Sequence, residues 1–249
     1  MSRVSYFKGT FETTKPVNKE LLSVLDEIRT EKHSSVIAKI RLINDKKERD
    51  KQKVGLLPMV TYAGTFKARA NDKLIKSSGF AIMDYDGIED LSKLIEQVNN
   101  DKYTYSSFVS PSGNGLKVLI KIPPVSDDKT YKEYYSELQK YYNQYAETDD
   151  STKDIGRGSF ISSDPNLYLN MDSELFTDKF IAPERPIVEK TNIPLTDQNE
   201  VAERLEKWFK KRYTATNRNT NLHAFARQMN AFGVDKNICE MYLLRYEES

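Results

Sequence analysis

The sequence predicts an α+β or α/β protein built on a mixed or antiparallel sheet and followed by a small helical domain. Through residue 170, apolar runs of strand length alternate with segments whose apolar residues recur at helical spacing. Segments 103–113 and 116–124 are strand-like and flank a short loop with two glycines, which predicts an antiparallel hairpin. After residue 200 only helical periodicity remains.

Each element is predicted from its pattern and its boundaries. The strands are short apolar runs bounded by glycine, proline or polar residues, and the helices repeat leucine, isoleucine, valine or tyrosine every three or four residues. The predicted strands cover 4–9, 57–64, 77–87, 103–113, 116–124 and the first part of 157–170. The predicted helices cover 18–29 with Asn18 as N-cap, 35–43, 88–101 and 127–146.

Three segments are expected in the chain: a large domain at 1–180, a linker at 181–199 and a helical C-terminal domain at 200–249. The stretch 178–200 carries three of the nine prolines and little periodicity, which is typical of a linker. Gly233 stands where a helix C-cap belongs.

Composition excludes several classes of protein. The 249 residues include 38% hydrophobic and 30% charged side chains, and the longest apolar stretches fall short of the roughly 20 residues of a membrane helix. The single cysteine, Cys239, excludes an internal disulfide and a multi-cysteine zinc site. With no apolar leader near the N-terminus, we expect a cytoplasmic protein without a membrane partner.

Charge is segregated along the chain although the net charge is only +1. Segments 39–53 and 204–213 are basic-rich, whereas acids gather at 146–154. The segments could be solvated helix faces, or they could form a cationic groove beside an acidic pocket.

Asp84 and Asp86 follow an apolar run and are two residues apart. In a strand such residues point to the same side, where two carboxylates repel each other unless a cation lies between them. Oxygen ligands of this kind suit Mg²⁺ or Mn²⁺, as in sites that transfer phosphoryl or nucleotidyl groups. The alternative is an ordinary strand end with Gly87 at a positive φ.

The loop "SPSGNGLK" (110–117) combines groups that can hold a triphosphate. Ser110 and Ser112 supply hydroxyls, Gly113 and Gly115 allow exposed backbone N–H groups, and Lys117 supplies positive charge. The spacing is not that of a Walker A loop, and an ordinary hairpin turn remains the alternative.

The segment 148–165 offers further charged candidates. Asp149, Asp150, Asp154 or Asp164 could complete a metal site, and Arg157 could neutralise phosphate with its forked donors. Asp164 precedes a proline and is interpreted as a turn residue rather than a ligand.

Histidine-based chemistry is not expected, because His33 and His223 are the only histidines and form no recognisable motif. The tyrosines of segment 127–146 recur at helical spacing, which favours core packing over base stacking.

Three motifs in order resemble the archaeo-eukaryotic primase superfamily, more narrowly the primase-polymerase-like N-terminal domain of virulence-associated E and related mobile-element replication proteins. The motifs are "IMDYDG" (82–87), "SPSGNGLKVLIK" (110–121) and "TDDSTKDIGRGSFISSDPNLYLN" (148–170), with "LLPMVTYAGTF" (56–66) upstream. Segment 217–234 more weakly resembles the small helical domain that often follows such domains.

The resemblance implies an RRM-like sheet with a second α/β unit, the primase-polymerase fold, and an active site in the cleft. It assigns Asp84, Asp86 and Asp149 as catalytic, metal-binding acids for two Mg²⁺ or Mn²⁺ ions, with Asp150 as a one-residue alternative to Asp149. The loop, Lys117 and Arg157 would bind the nucleotide. Lys117 stands where relatives more often place a histidine.

The function implied is that of a DNA primase or primase-polymerase. It would carry out metal-dependent, template-directed nucleotidyl transfer from NTP or dNTP on single-stranded DNA, for replication of a phage, plasmid or mobile element. The expected partner is a helicase, in trans or in a longer chain. The alternatives are a non-catalytic single-stranded nucleic-acid-binding module of a replication initiator, and a nuclease.

Overall fold

The computed structural model describes residues 2–180, 195–211 and 218–246. The chain divides into two compact units, Met1–Ala182 and Pro183–Ser249. In the described parts of both, no helix has the length and apolar character that a membrane crossing requires.

The first unit is α+β, as the sequence predicts, and its described residues form two four-stranded antiparallel sheets and a two-stranded one. The strands are β1 (Arg3–Phe7), β2 (Val17–Glu20), β3 (Met59–Thr61), β4 (Gly64–Phe66), β5 (Leu74–Ser77), β6 (Phe80–Tyr85), β7 (Thr104–Val109), β8 (Leu116–Lys121), β9 (Ser159–Phe160) and β10 (Tyr168–Leu169). Sheet order is β2-β1-β3-β9 in one, β10-β7-β8-β6 in the other and β4-β5 in the third. The predicted hairpin is the β7–β8 pair.

Within residues 2–180 the structure describes five helices. They are α1 (Leu21–Arg29), α2 (Ser34–Arg41), α3 (Lys46–Leu56), α4 (Leu91–Asn99) and α5 (Asp128–Tyr142). Capping aspartates begin three of them: Asp45, Asp90 and Asp127 each accept a backbone N–H from the first turn.

The predicted helix start at Asn18 is wrong. Val17–Glu20 is strand β2, paired with β1, and the helix begins at Leu21 with Glu20 as N-cap. Asn18 accepts a 2.8 Å hydrogen bond from the Ser5 hydroxyl instead. Strand pairing with β1 therefore overrides the local helical preference.

The second sheet is covered by apolar groups on both faces. Ala81, Met83 and Tyr85 of β6 pack with α4 and α5, whereas Phe80 and Ile82 pack toward α1 and the first sheet. This period of two places Asp84 on the face of Phe80 and Ile82, directed toward the first sheet.

The tyrosine-rich face of α5 packs in the core, as the sequence favoured. Tyr131, Tyr135 and Tyr142 are almost completely buried there.

The second unit is helical within its described residues, with α6 (Leu195–Lys210), α7 (Arg218–Ala231) and α8 (Lys236–Leu244). Phe209 and Phe225 stack with ring centroids 4.6 Å apart in its core. Gly233 follows α7 at φ +76°, the left-handed conformation that a C-cap needs.

The predicted linker needs a correction at its end. Residues 195–199, assigned to the linker, belong to α6, and the acid-containing sequence there suits the first turn of a helix. Residues 181–194 lie outside the described residues.

Candidate active site between the two sheets

A buried ion pair joins the predicted first and second motifs. In the β6–β8 ladder Asp84 lies directly opposite Lys117, and the lysine Nζ donates a hydrogen bond to Asp84 Oδ2. Asp84 is 8% exposed and Lys117 is 6% exposed, so each charge depends on the other for compensation.

Acidic side chains crowd the same place. Burial raises the pKa of Asp84, the Lys117 ammonium acts in the opposite direction, and the charges of Asp86 and Asp149 raise this pKa further. The site therefore concentrates negative charge at the end of β6.

Backbone contacts place Asp149 beside Asp84. The Asp149 N–H donates to the Asp84 carbonyl at 2.8 Å, and the Tyr135 hydroxyl donates to the Asp149 carbonyl at 3.2 Å. Asp150 is exposed and pairs with Lys153 at 3.0 Å. Of the two alternatives, the structure brings Asp149 to the other acids.

The 110–115 loop closes beside the strand end. Ser110 N–H donates to the Gly115 carbonyl at 2.8 Å, and Gly113 adopts φ +82°. A Cβ on Gly115 would collide with the Tyr85 carbonyl, so glycine permits the close approach. Arg41 of α2 donates to the Ser110 carbonyl at 3.2 Å and supports the loop from outside.

The end of β6, the 110–115 loop and the segment around Asp149 border one cavity of about 190 Å³ between the sheets, called here the central cavity. Its lining residues are Lys53, Met59, Ile82, Asp84, Asp86, Ser110, Pro111, Ser112, Lys117, Asp149, Thr152, Arg157, Gly158, Ser159 and Phe160. Seven of the predicted site residues are therefore neighbours around one space: Asp84, Asp86, Ser110, Ser112, Lys117, Asp149 and Arg157. Gly113 and Gly115 do not line it and shape the loop instead.

Three buried polar atoms around the central cavity have no hydrogen-bond partner within the described residues. They are Asp84 Oδ1, Ser110 Oγ and Ser159 Oγ. Leaving such atoms unsatisfied costs free energy, and native proteins rarely do so without a reason. Their convergence indicates a site built for a polar ligand.

The acids fit a hard divalent cation only in part. Asp84 Oδ1 has unused acceptor capacity, and carboxylate oxygens are the donors that Mg²⁺ and Mn²⁺ prefer. Yet within the described ranges no three His, Cys, Asp or Glu side chains are grouped closely enough to hold a metal ion. The three-aspartate ligand set remains a prediction.

The other predicted acids have different partners. Asp154 pairs with Lys132 at 2.7 Å. Asp164 accepts the backbone N–H of Asn166 at 3.0 Å, which is the expected turn role. It also accepts the backbone N–H of Val109 at 2.7 Å, which ties this turn to β7.

The sequence did not identify several residues that line the cavity, among them Ser159 and Lys53. Lys53 Nζ is 3.4 Å from Ser112 Oγ and 2.7 Å from an Asp50 oxygen. The only sequence signal for Lys53 was its place in the basic stretch 39–53. Ser159 lies within the third motif, but nothing in its pattern singled it out.

Fold and site together define an α+β protein with a cavity of carboxylates, cations and hydroxyls between two antiparallel sheets. Residues 51–169 match the family model described as BT4734-like, N-terminal domain, and this range includes every residue that lines the central cavity. Among solved structures, the chain is similar to the AEP domain of the primase-polymerase (PrimPol) of cyanophage S-2L. That match has 11% identity and a TM-score of 0.39, and covers 71% of this chain and 85% of the other. Comparison with curated proteins found no match.

Proposed function

We propose that this protein is a primase-polymerase, a metal-dependent enzyme that transfers nucleotides from NTP or dNTP onto a growing strand, directed by a single-stranded DNA template. The proposed setting is the replication of a phage, plasmid or mobile element. The observation that carries the proposal is the central cavity, where three acids, two cations and two serines of the three ordered motifs meet.

Asp84, Asp86 and Asp149 are proposed to hold Mg²⁺ or Mn²⁺. When bound, such ions supply positive charge at the reacting phosphates and favour deprotonation of a 3′-hydroxyl. Lys117 orients the Asp84 carboxylate and opposes the rise in its pKa that burial and the neighbouring acids cause.

The remaining groups suit a triphosphate. Arg157 offers forked donors, Ser110 and Ser112 offer hydroxyls, and Ser110 Oγ has its hydrogen-bonding capacity unused within the described residues. Lys117 adds positive charge but, unlike a neutral imidazole, cannot accept a hydrogen bond.

Template binding is assigned to the basic surface of segment 39–53. Lys53 connects that segment to the central cavity, so a strand lying along α3 would lead to the acids. Such binding depends on salt because it releases counterions. A helicase partner remains part of the proposal.

The test is a primer-synthesis assay with single-stranded template, Mg²⁺ or Mn²⁺ and labelled nucleotides. Wild type and Glu89→Gln, which removes an exposed carboxylate just beyond the site, should form product, whereas Asp84→Asn with Asp86→Asn should form none. Product that survives the double substitution would exclude the assigned acids.

A non-catalytic single-stranded nucleic-acid-binding module is the second candidate. It is favoured by the Lys117–Asp84 pair and by the lack of a preassembled three-carboxylate group among the described residues. It predicts DNA binding that is insensitive to metal and to loss of the acids. A nuclease would instead degrade the template in the same assay.

A further inference from the structure

A second cavity, of about 380 Å³, lies directly beside the central cavity and is called here the side cavity. The two share part of their walls, namely Met59, Arg157, Gly158 and Phe160. Arg69 lines the side cavity but not the central one. A ligand in the central cavity could therefore extend past Arg157 toward Arg69.

Arg69 is held in this wall by neutral groups. Its Nη2 donates to the Thr10 carbonyl at 2.6 Å, its Nη1 contacts the Met59 sulfur, and its guanidinium lies 6.0 Å from the centre of the Phe7 ring. Within the described residues, no carboxylate forms an ion pair with it. A half-buried positive charge is thus kept in place without a neutralising acid.

Two guanidinium groups influence each other here. Burial lowers the pKa of Arg69, and the nearby charge of Arg157 lowers it further. The backbone is shaped for this arrangement, since a Cβ on Gly158 would lie about 3.0 Å from the Arg69 Cδ and the Met59 Cε. Glycine at 158 therefore lets the arginine stem pack against the main chain.

One acid, Asp154, lies in the same wall and already has a lysine partner. Asp154 lines the side cavity, but Lys132 lies 2.7 Å from it and lowers its pKa. Asn71, on the same wall, accepts the Gly156 N–H at 3.1 Å and fixes the loop that carries Arg157.

We propose that Arg69 and Arg157 form a phosphate subsite in the side cavity. The inference deepens the proposed function and rests on it for the source of the phosphate, which is either the triphosphate of a nucleotide or a phosphodiester of the DNA strand. Two forked donor groups that repel each other are stabilised when an anion lies between them.

The experiment measures binding to the full chain with two probes. Inorganic tripolyphosphate, followed by calorimetry, represents the nucleotide tail, and a labelled oligothymidylate without terminal phosphate, followed by anisotropy, represents the strand. The variants are Arg69→Gln and, as a matched control, Lys67→Gln, which removes an exposed charge two residues away that lines neither cavity. Near-UV circular dichroism reports whether each variant is folded.

We expect Arg69→Gln to lower the affinity for one of the two probes by about tenfold or more, because the variant loses charge-assisted hydrogen bonds to phosphate. Lys67→Gln should bind both probes as the wild type does. Loss confined to tripolyphosphate identifies the triphosphate as the source, and loss confined to the oligothymidylate identifies the strand. Unchanged binding of both probes to folded Arg69→Gln overturns the subsite.

Arg69→Lys and Arg157→Gln provide the test if Arg69→Gln does not fold. Both substitutions should then lower the affinity for the same probe, and the inference fails if they do not. Its failure is separable from failure of the proposed function, because neither binding assay requires synthesis. An active enzyme with Arg69-independent binding refutes only the subsite, whereas an inactive protein with Arg69-dependent binding refutes only the polymerase activity.

Discussion

Asp84 and Lys117 each lost most of their hydration on folding, and the ion pair is what compensates for that loss. The ion pair therefore affects the stability of the fold as well as the chemistry of the site. Removing one partner leaves the other charge buried, which costs more than the net contribution of the pair.

Lys117→Met should lower the free energy of unfolding by about 3 kcal/mol, because Asp84 is then buried without its cation. Adding Asp84→Asn should restore part of the loss. Urea unfolding followed by near-UV circular dichroism measures both, since most of the buried tyrosines among the described residues lie in the first unit.

Lys76→Met is the matched control, because Lys76 is an exposed strand lysine in the same unit and should change little. Equal stability of Lys117→Met and Lys76→Met would contradict the burial argument.

His33 gives the fold a dependence on pH. Burial lowers its pKa from 6.5, against the opposing influence of Glu27, and Lys32 and Lys19 act in the same direction as burial. The unfolded chain therefore binds the His33 proton more tightly than the folded chain does. The stability that is present above about pH 6.5 is lost as the pH falls through the pKa of His33 in the folded state.

Urea midpoints of the wild type should fall between about pH 7.5 and 5.5, and His33→Gln should flatten that dependence. His223→Gln, at an exposed position, should keep the wild-type slope. An unchanged slope in His33→Gln would assign the dependence to other groups.

Among the secondary-structure elements, α4, β7 and α5 meet at one buried carboxylate. Asp101, which follows α4, accepts hydrogen bonds from the hydroxyls of Tyr141, Tyr142 and Tyr145 at 2.8, 3.3 and 2.7 Å. It also accepts the Tyr103 N–H at 2.8 Å. The carboxylate thus joins the end of α5 to the beginning of β7, and no lysine or arginine among the described residues forms an ion pair with it.

Asp101→Asn should destabilise the first unit by about 2 kcal/mol, because an amide cannot accept from all of these donors and loses the charge-assisted bonds. Near-UV circular dichroism during urea unfolding again measures the change. Glu96→Gln, at an exposed site on α4, should have almost no effect. If Asp101→Asn lost as little free energy of unfolding as Glu96→Gln, the hydrogen bonds to the Asp101 carboxylate would not contribute to stability.

Local patterns account for the elements that the sequence predicted well. The β7–β8 hairpin and the acids at the end of β6 lie in short, contiguous motifs with clear periodicity and turn residues. Strand β2 was missed because its four residues resemble the start of a helix, and its strand conformation comes from pairing with β1 rather than from its own pattern.

The same reasoning explains which site residues were missed. Pairing of β3 with β9 sets Met59 opposite Phe160 and Val60 opposite Ser159, which brings Ser159 to the central cavity. Arg69 reaches the side cavity through a loop packed against residues 156–158. No motif spacing encodes such contacts between distant segments.

For the whole molecule, each unit has a hydrophobic core of its own. The second unit buries Phe209, Phe225, Met229 and Tyr242, and the buried aromatic residues of the first unit belong to separate clusters. The single tryptophan, Trp208, lies in the second unit, so its fluorescence reports on that unit alone.

Phe209→Ala should lower the urea midpoint of Trp208 fluorescence, with a loss of about 3 kcal/mol from the cavity left beside Phe225. The near-UV transition of the first unit should hardly move. Leu244→Ala, at an exposed position on α8, serves as the control. A parallel shift of both transitions would show that the two units unfold together.

The Asp84–Lys117 pair also affects how strand β6 aligns with β8 during folding. Among the described strands, β6 forms the edge of its sheet and pairs only with β8, so its alignment depends chiefly on that ladder. A shift of one residue would turn Asp84 to the opposite face, into the apolar layer under α4 and α5, and separate it from its cation. Misaligned chains would bury two unpaired charges, so the pair that prepares the site also selects against the wrong strand alignment.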